Sequence, residues 1–288
     1  MKQSPVEFTC TELTQALLPR SLDGLRICHM SDFHSSRFAD HGELIAQKVR
    51  EFAPELILVT GDMADCSKDR SAKYFFSVAD RLAGFPMVCS PGNHELRIGK
   101  QKMPPALRAE FAERKIPLLY NEHAEIAVRG TPLLLFGYLQ GFRWFTERGE
   151  KRARLRQDIT ERDVALALGE CPRSRFSVLL AHDPAPFAAY ADWGAPLVLS
   201  GHIHGGQIRL PRLGGMLSPA HRFFPEYSAG VYRRGSSTLV VSRGLSVSEM
   251  PRINNRPEIA FLILRHEKLA EQSAQAEAPS ESGRTQGG

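Results

Sequence analysis

Five apolar stretches of this 288-residue chain end in residues that bind hard metal ions. Residues 25–30 lead into Ser31-Asp32-Phe33-His34, and 56–60 lead into Gly61-Asp62. Residues 86–90 precede Gly92-Asn93-His94-Glu95, 178–180 precede Ala181-His182, and 197–200 precede Gly201-His202-Ile203-His204. In an α/β sheet, ligands bind in the crevice beyond the carboxyl ends of the strands. Five strands that deliver Asp, Asn and His there would build one dense ligand cluster. An extended chain sends side chains i and i+2 to the same side. Asp32 and His34 are therefore expected to reach one ion, and His202 and His204 to repeat that arrangement. Asp62 is a lone carboxylate whose two oxygens could bridge two cations. Asn93 adds a neutral carbonyl oxygen and His182 an imidazole. The set is mixed O/N without thiolate, which suits Mn, Fe or Zn better than a closed structural zinc site. Two cations about 3.5–4 Å apart are the usual device for in-line attack on phosphorus.

Taken singly, each ending has a bland reading. A lone Asp or His at a strand end is often a cap, and Gly-Asp and Gly-Asn mark turns. The metal reading rests on all five occurring together.

The ordered series Asp32-x-His34, Gly61-Asp62-x-x-Asp65, Gly92-Asn93-His94-Glu95, His182 and Gly201-His202-x-His204 resembles the calcineurin-like metallophosphoesterase family. The likeness covers about residues 22–265. Residues 22–27, the run Gly201-His202-Ile203-His204-Gly205-Gly206-Gln207 and Arg252-Ile253-Asn254-Asn255-Arg256-Pro257-Glu258 are similar to one bacterial, often membrane-associated branch. Some members of that branch are linked to hydrolysis of UDP-2,3-diacylglucosamine in lipid A synthesis. The resemblance implies a four-layer α/β/β/α sandwich of two mixed sheets flanked by helices. It also implies two divalent metal ions, with manganese favoured and iron or zinc accommodated. Asp32, His34, Asp62 and His204 would hold the first ion. Asp62, Asn93, His182 and His202 would hold the second. His94 would stand beside the phosphate as the catalytic residue, and Asp65 behind the ligands, fixing the loop or orienting a ligand. A metal-bound water would attack phosphorus in line with the leaving group, and His94 would stabilise charge or protonate the departing alkoxide.

The elements needed to position these residues are legible. Strands at 25–30, 56–60 and 86–90 alternate with helices at about 42–53 and 71–83, a βαβαβ pattern. Leu44, Ile45, Val49 and Phe52 fall on one helical stripe, as do Phe75, Val78, Ala79 and Leu82, with Gly84 as a stop. Residues 123–128 and 132–138 flank Arg129-Gly130-Thr131 as a hairpin, and 231–234, 238–242 and 259–264 read as late strands. The expected division is an extension at 1–21 with an edge strand, a metallophosphoesterase domain at 22–266, and a disordered tail at 267–288. Hydrophobic residues make up 42% of the chain, enough for one large core.

Five scattered cysteines without a C-x-x-C spacing favour a reducing compartment. No run approaches 18 apolar residues, and residues 1–19 lack the apolar centre of a signal peptide. A cytoplasmic location is expected, peripheral to the inner face of the membrane. The net charge of +5 is concentrated at Arg143, Arg148, Lys151, Arg152, Arg154 and Arg156, beside Phe142, Trp144 and Phe145. This stretch could meet anionic headgroups or be a solvated helix with an aromatic cap. A second candidate, Arg209 to Phe224, could cradle a lipid chain or cover a sheet edge.

The leading expectation is a phosphodiesterase or pyrophosphatase acting on a small or lipid-linked phosphoester, with UDP-2,3-diacylglucosamine as the specific candidate. A nuclease or nucleotide phosphodiesterase is the alternative, although nucleic acid is not the preferred partner. Protein serine/threonine phosphatases of the family continue Gly-Asp-x-x-Asp with Arg-Gly, whereas Asp65 here is followed by Cys66-Ser67. A noncatalytic scaffold on the same fold is the non-enzyme alternative, and the presence of His94 argues against it.

Overall fold

Strands β2 (Leu25–Met30), β3 (Leu56–Thr60) and β4 (Met87–Ser90) are largely apolar on both faces, with exposed Arg26 and buried His29 the exceptions in β2, because both faces of a parallel sheet are covered. The computed structural model describes residues 6–34, 41–100, 102–141, 159–210, 212–218, 223–246 and 252–270. Its other strands are β1 (Glu7–Gln15), β5 (Glu122–Val128), β6 (Thr131–Tyr138), β7 (Ser177–Ala181), β8 (Leu197–Ser200), β9 (Arg209–Leu210), β10 (Gly214–Gly215), β11 (Gly230–Arg234), β12 (Ser237–Val241) and β13 (Glu258–His266). The helices are α1 (His41–Phe52), α2 (Lys73–Arg81), α3 (Asn93–Ile98), α4 (Pro105–Glu113), α5 (Glu161–Leu168) and α6 (Phe187–Trp193).

One sheet has the order β1-β13-β2-β3-β4 and the other β11-β12-β8-β7-β6-β5. A two-stranded ribbon, β9–β10, lies beyond β8 in the chain. The sheets meet face to face through alternate residues. Leu25, Ile27, Leu56, Leu58 and Val88 pack against Leu133, Leu135, Val178, Leu180, Leu197 and Leu199. The intervening residues Cys28, Met30, Ile57, Val59 and Cys89 face outward onto α1, α2 and α4. On the other sheet Leu134, Phe136, Leu179, Val198 and Leu239 face α5 and α6. The result is the four-layer α/β/β/α sandwich. Each fully buried aliphatic side chain contributes roughly 1.5–3 kcal/mol to holding the layers together.

Helix and hairpin positions agree with the periodicity. The 71–83 stretch yields a shorter helix, α2, because Ala72 takes a left-handed φ of 54° and starts the helix there. β5 and β6 pair from Val128 opposite Thr131, around Arg129 (φ 51°) and Gly130 (φ 73°). Positive φ at both central residues matches the twist of a two-residue hairpin. α5 starts at Thr160, whose N–H and hydroxyl both donate to Asp163 Oδ2, at 2.8 and 2.9 Å. The first strand, β1, lies at a sheet edge, parallel to the last, β13.

The basic-aromatic stretch at 142–156 lies outside the described residues, as does the chain from 271 onward. Leu213, Phe223 and Phe224, from the second candidate patch, are exposed. All five cysteines are free thiols.

Candidate metal centre

β2, β3 and β4 from one sheet and β7 and β8 from the other bring their carboxyl ends to one crevice. The chain leaves them through sharp turns rather than in extended form. Asp32, His34, Asp62, His202 and His204 have φ of 54°, 49°, 52°, 68° and 52°. Left-handed conformation in non-glycine residues costs about 1–3 kcal/mol each and clusters at functional sites. These turns aim the side chains inward. Gly61, at φ 89°, makes one of them possible, since a Cβ there would sit 2.6 Å from Gly92 N and 2.8 Å from His182 Nδ1.

Two groups of donors result. In the first, His34 Nε2 and His204 Nε2 lie 3.2 Å apart, with Asp32 Oδ1 3.8 and 3.2 Å from them respectively. In the second, His182 Nε2 is 3.2 Å from His202 Nδ1 and 3.1 Å from Asp62 Oδ2. The same Asp62 Oδ2 lies 3.6 Å from His34 Nε2, so a single oxygen faces both groups. The other oxygen, Oδ1, accepts the His94 N–H at 2.8 Å. The expectation that both carboxylate oxygens would face cations is corrected accordingly.

The i, i+2 expectation is corrected too. It holds in outcome for Asp32 and His34, which share a group, but fails for His202 and His204, which go to different groups. The left-handed turns at both histidines break the strand geometry on which it relied.

The donors are nearly all buried. Burial opposes ionisation of Asp32, yet the facing His204 and His182 hold its carboxyl below the usual range. Burial likewise opposes Asp62, and His182 and His94 hold it far below. Burial lowers His182, but Asp62 more than offsets this and raises it to about 10. Burial, reinforced by the neighbouring His94, lowers His34 to about 3. Burial brings His202 down to about 4. The crevice thus favours ionised carboxylates beside neutral His34 and His202, the protonation a cation needs, while a cation at His182 would displace the proton that Asp62 holds there. His182 Nδ1 lies 2.6 Å from Thr60 O, which only an N–H can satisfy. Its Nε2 is therefore directed at Asp62, by the backbone contact that commonly orients a ligand histidine.

Asn93 heads α3, and its buried Oδ1 has no hydrogen-bond partner among the described residues. His204 Nδ1 is equally unpartnered. A buried acceptor without a donor is costly, and a cation would satisfy Asn93. Crowded imidazole nitrogens, ionised carboxylates and an orphaned amide oxygen together fit a pair of divalent cations.

His94 stands differently. Its ring centroid is 4.4 Å from that of His34, nearly edge-on. Its Nδ1 accepts the Cys66 N–H at 3.2 Å. Asp65 lies near His34 and His94. Its Oδ1 accepts from Ser67 N, Ser67 Oγ and Lys68 N at 2.7, 2.7 and 3.1 Å, so it shapes the loop that carries Cys66.

Sequence reasoning assigned no role to Glu95. It is fully buried and accepts the N–H groups of Gly92 (2.7 Å), Asp62 (3.1 Å) and Ala64 (2.8 Å). It thereby locks two of the ligand turns together. A Glu in the first turn of a helix is a capping signal, but its reach to Asp62 and Ala64 is tertiary. Asn255 was also missed as a positioning residue. Its Nδ2 donates to His204 O at 2.7 Å and Gln207 O at 3.0 Å.

The family model for calcineurin-like phosphoesterases matches residues 25–206. The chain belongs to that family and is a metal-dependent phosphoric ester hydrolase. It is 26% identical to the uncharacterized metallophosphoesterase YkuE of Bacillus subtilis over 90% of this chain and 86% of that one. It is 29% identical to the phosphodiesterase YaeI of Escherichia coli, over 83% and 82%. It is 24% identical to the UDP-2,3-diacylglucosamine pyrophosphatase LpxG of Chlamydia trachomatis, over 84% of each.

Proposed function

We propose that this protein hydrolyses a phosphodiester or pyrophosphate bond in a small or lipid-linked substrate at a dinuclear metal centre. The observation that carries the reading is Asp62 Oδ2, one carboxylate oxygen placed between two O/N donor groups. Asp32, His34, Asp62 and His204 would hold one cation, and Asp62, Asn93, His182 and His202 the other, with manganese the expected metal. Such cations neutralise phosphate charge and acidify water, the two things hydrolysis of a phosphoester requires.

The chain's own residues do the rest. Thr60 O and Glu95 fix the orientation of His182 and Asp62. The Cys66 N–H occupies His94 Nδ1, which leaves Nε2 as the ring atom that carries a proton. From there His94 donates to a phosphoryl or departing oxygen. Asp65 holds the loop that presents Cys66.

A lipid-linked substrate is favoured by two observations. LpxG is a relative, and a cleft of about 250 Å³ of mixed lining, with Ile203, Phe223, Phe224 and Tyr227 beside Ser218 and Glu226, adjoins the His202–His204 turn. Phe223 and Phe224 are exposed there. Among the described residues no helix is long and apolar enough to cross a membrane. In this reading the substrate is met at the cytoplasmic face of a membrane, and UDP-2,3-diacylglucosamine is the first lipid to assay.

The test is hydrolysis of bis(p-nitrophenyl) phosphate by chelator-stripped and manganese-reconstituted protein, with Asp62→Asn alongside. Turnover should need metal and fall at least about 100-fold in the variant, as removal of a key electrostatic group does. Equal turnover by Asp62→Asn would refute the bridging assignment.

A further inference from the structure

Arg252 opens the 252–258 segment, which is stitched onto the His204 turn. Ile253 N–H donates to Gln207 O at 3.2 Å, and Arg209 N–H donates to Ile253 O at 3.0 Å. Asn255 ties the same segment to His204 O, and Glu258 at its end accepts from Arg243. The backbone beside Arg252 is thus fixed against the first donor group.

Its guanidinium is not tied down in the same way. Nε, Nη1 and Nη2 are all shut off from solvent, and none has a hydrogen-bond partner among the described residues. Arg243, a near neighbour in the fold, shows the ordinary solution, with Nε 3.1 Å from Glu258 and Nη1 3.1 Å from Glu7. A guanidinium carries five donors in a planar fork, and burying them unpaired is expensive. Burial lowers the Arg252 pKa to about 10, opposed most by Asp32, while Arg243 adds to the strain. Arg252 is therefore a charged fork without an acceptor among the described residues, close enough to Asp32 to feel its carboxylate.

We propose that Arg252 is a substrate-binding residue whose guanidinium takes a non-bridging phosphoryl oxygen of the phosphoester presented to Asp32, His34 and His204. The inference rests on the phosphoester reading above and adds an anion clamp supplied by the chain itself. Planar guanidinium matches phosphate in a bidentate way that an ammonium does not. The competing account is an ion pair with Glu249, which lies outside the described residues.

Binding of inorganic phosphate to the full-length, manganese-loaded protein, followed by calorimetry, separates the two. Arg252→Gln should weaken phosphate binding by about 10- to 100-fold, from the ordinary worth of a hydrogen bond to a charged group. Its manganese stoichiometry should stay unchanged. Arg252→Lys, which keeps charge and stem, should recover only part of the affinity and covers the case in which the glutamine variant does not fold. Glu249→Gln should bind phosphate as the parent does. Parental phosphate affinity in both Arg252 variants would overturn the proposal, as would a loss in Glu249→Gln equal to that in Arg252→Gln. Diester turnover provides the second readout, where Arg252→Gln should raise KM more than it lowers kcat. If the parent hydrolysed no diester while Arg252→Gln still lost phosphate affinity, the phosphoester reading would fail and the anion clamp would stand.

Discussion

His94 differs from the ligand-type histidines around it in that its Nδ1 accepts a backbone amide, that of Cys66, whereas His182 Nδ1 faces a carbonyl. The His94 N–H holds Asp62 Oδ1 through the backbone, and that contact does not depend on the side chain. His94→Ala should therefore bind metal as the parent does yet lose turnover by about 10²–10⁴-fold, the usual worth of a positioned acid. Metal content and diester hydrolysis measured on the same sample check this, and unchanged turnover would remove His94 from the mechanism. The ligand-type residues were legible because Asp, Asn and His at five successive strand ends form a pattern along the chain. Glu95, Asn255 and Arg252 were not assigned roles, because each acts through the space between elements. Glu95 reaches Asp62 from 33 positions away, and Asn255 reaches His204 from 51.

At the scale of elements, the turns after the strands do as much as the strands. Gly61→Ala puts a methyl group against the Gly92 amide and the His182 ring in a conformation that alanine resists. It should destabilise the fold by about 1–3 kcal/mol and reduce turnover together with metal affinity. Parental stability in urea would show that the turn relaxes freely. β13 provides a second test. Glu258 accepts from Thr9 Oγ1 at 2.8 Å and Arg243 N at 2.9 Å, and it meets the Arg243 guanidinium. Burial would raise its pKa, but Arg243 outweighs that and holds it below the ordinary value of 4.5. A depressed folded-state value means that the contribution is full above the unfolded glutamate pKa. It is lost as pH falls through the folded value. Urea midpoints from pH 7 down to pH 3 should therefore drop less steeply for Glu258→Gln than for the parent, and identical slopes would contradict this. Period-two and period-3.6 patterns located most of these elements. The pairing of β1 with β13 was beyond such patterns, since it joins Phe8 to Ile259 and no local signal encodes that register. The left-handed turns were equally hidden, because Asp and His carry no glycine-like mark of positive φ.

For the whole molecule, the centre lies where the two sheets meet. Asp32, His34, Asp62 and Asn93 follow strands of one sheet, and His182, His202 and His204 follow strands of the other. Cations held by both sets would cross-link the layers and so would couple the catalytic centre to the packing of the sandwich. The most direct measurement is a stepwise titration of chelator-stripped protein with manganese, with bound metal and bis(p-nitrophenyl) phosphate turnover followed together. Turnover should climb until two ions are bound per chain and level off there. Saturation at one ion, or full turnover by the stripped protein, would contradict a dinuclear centre bridged by Asp62.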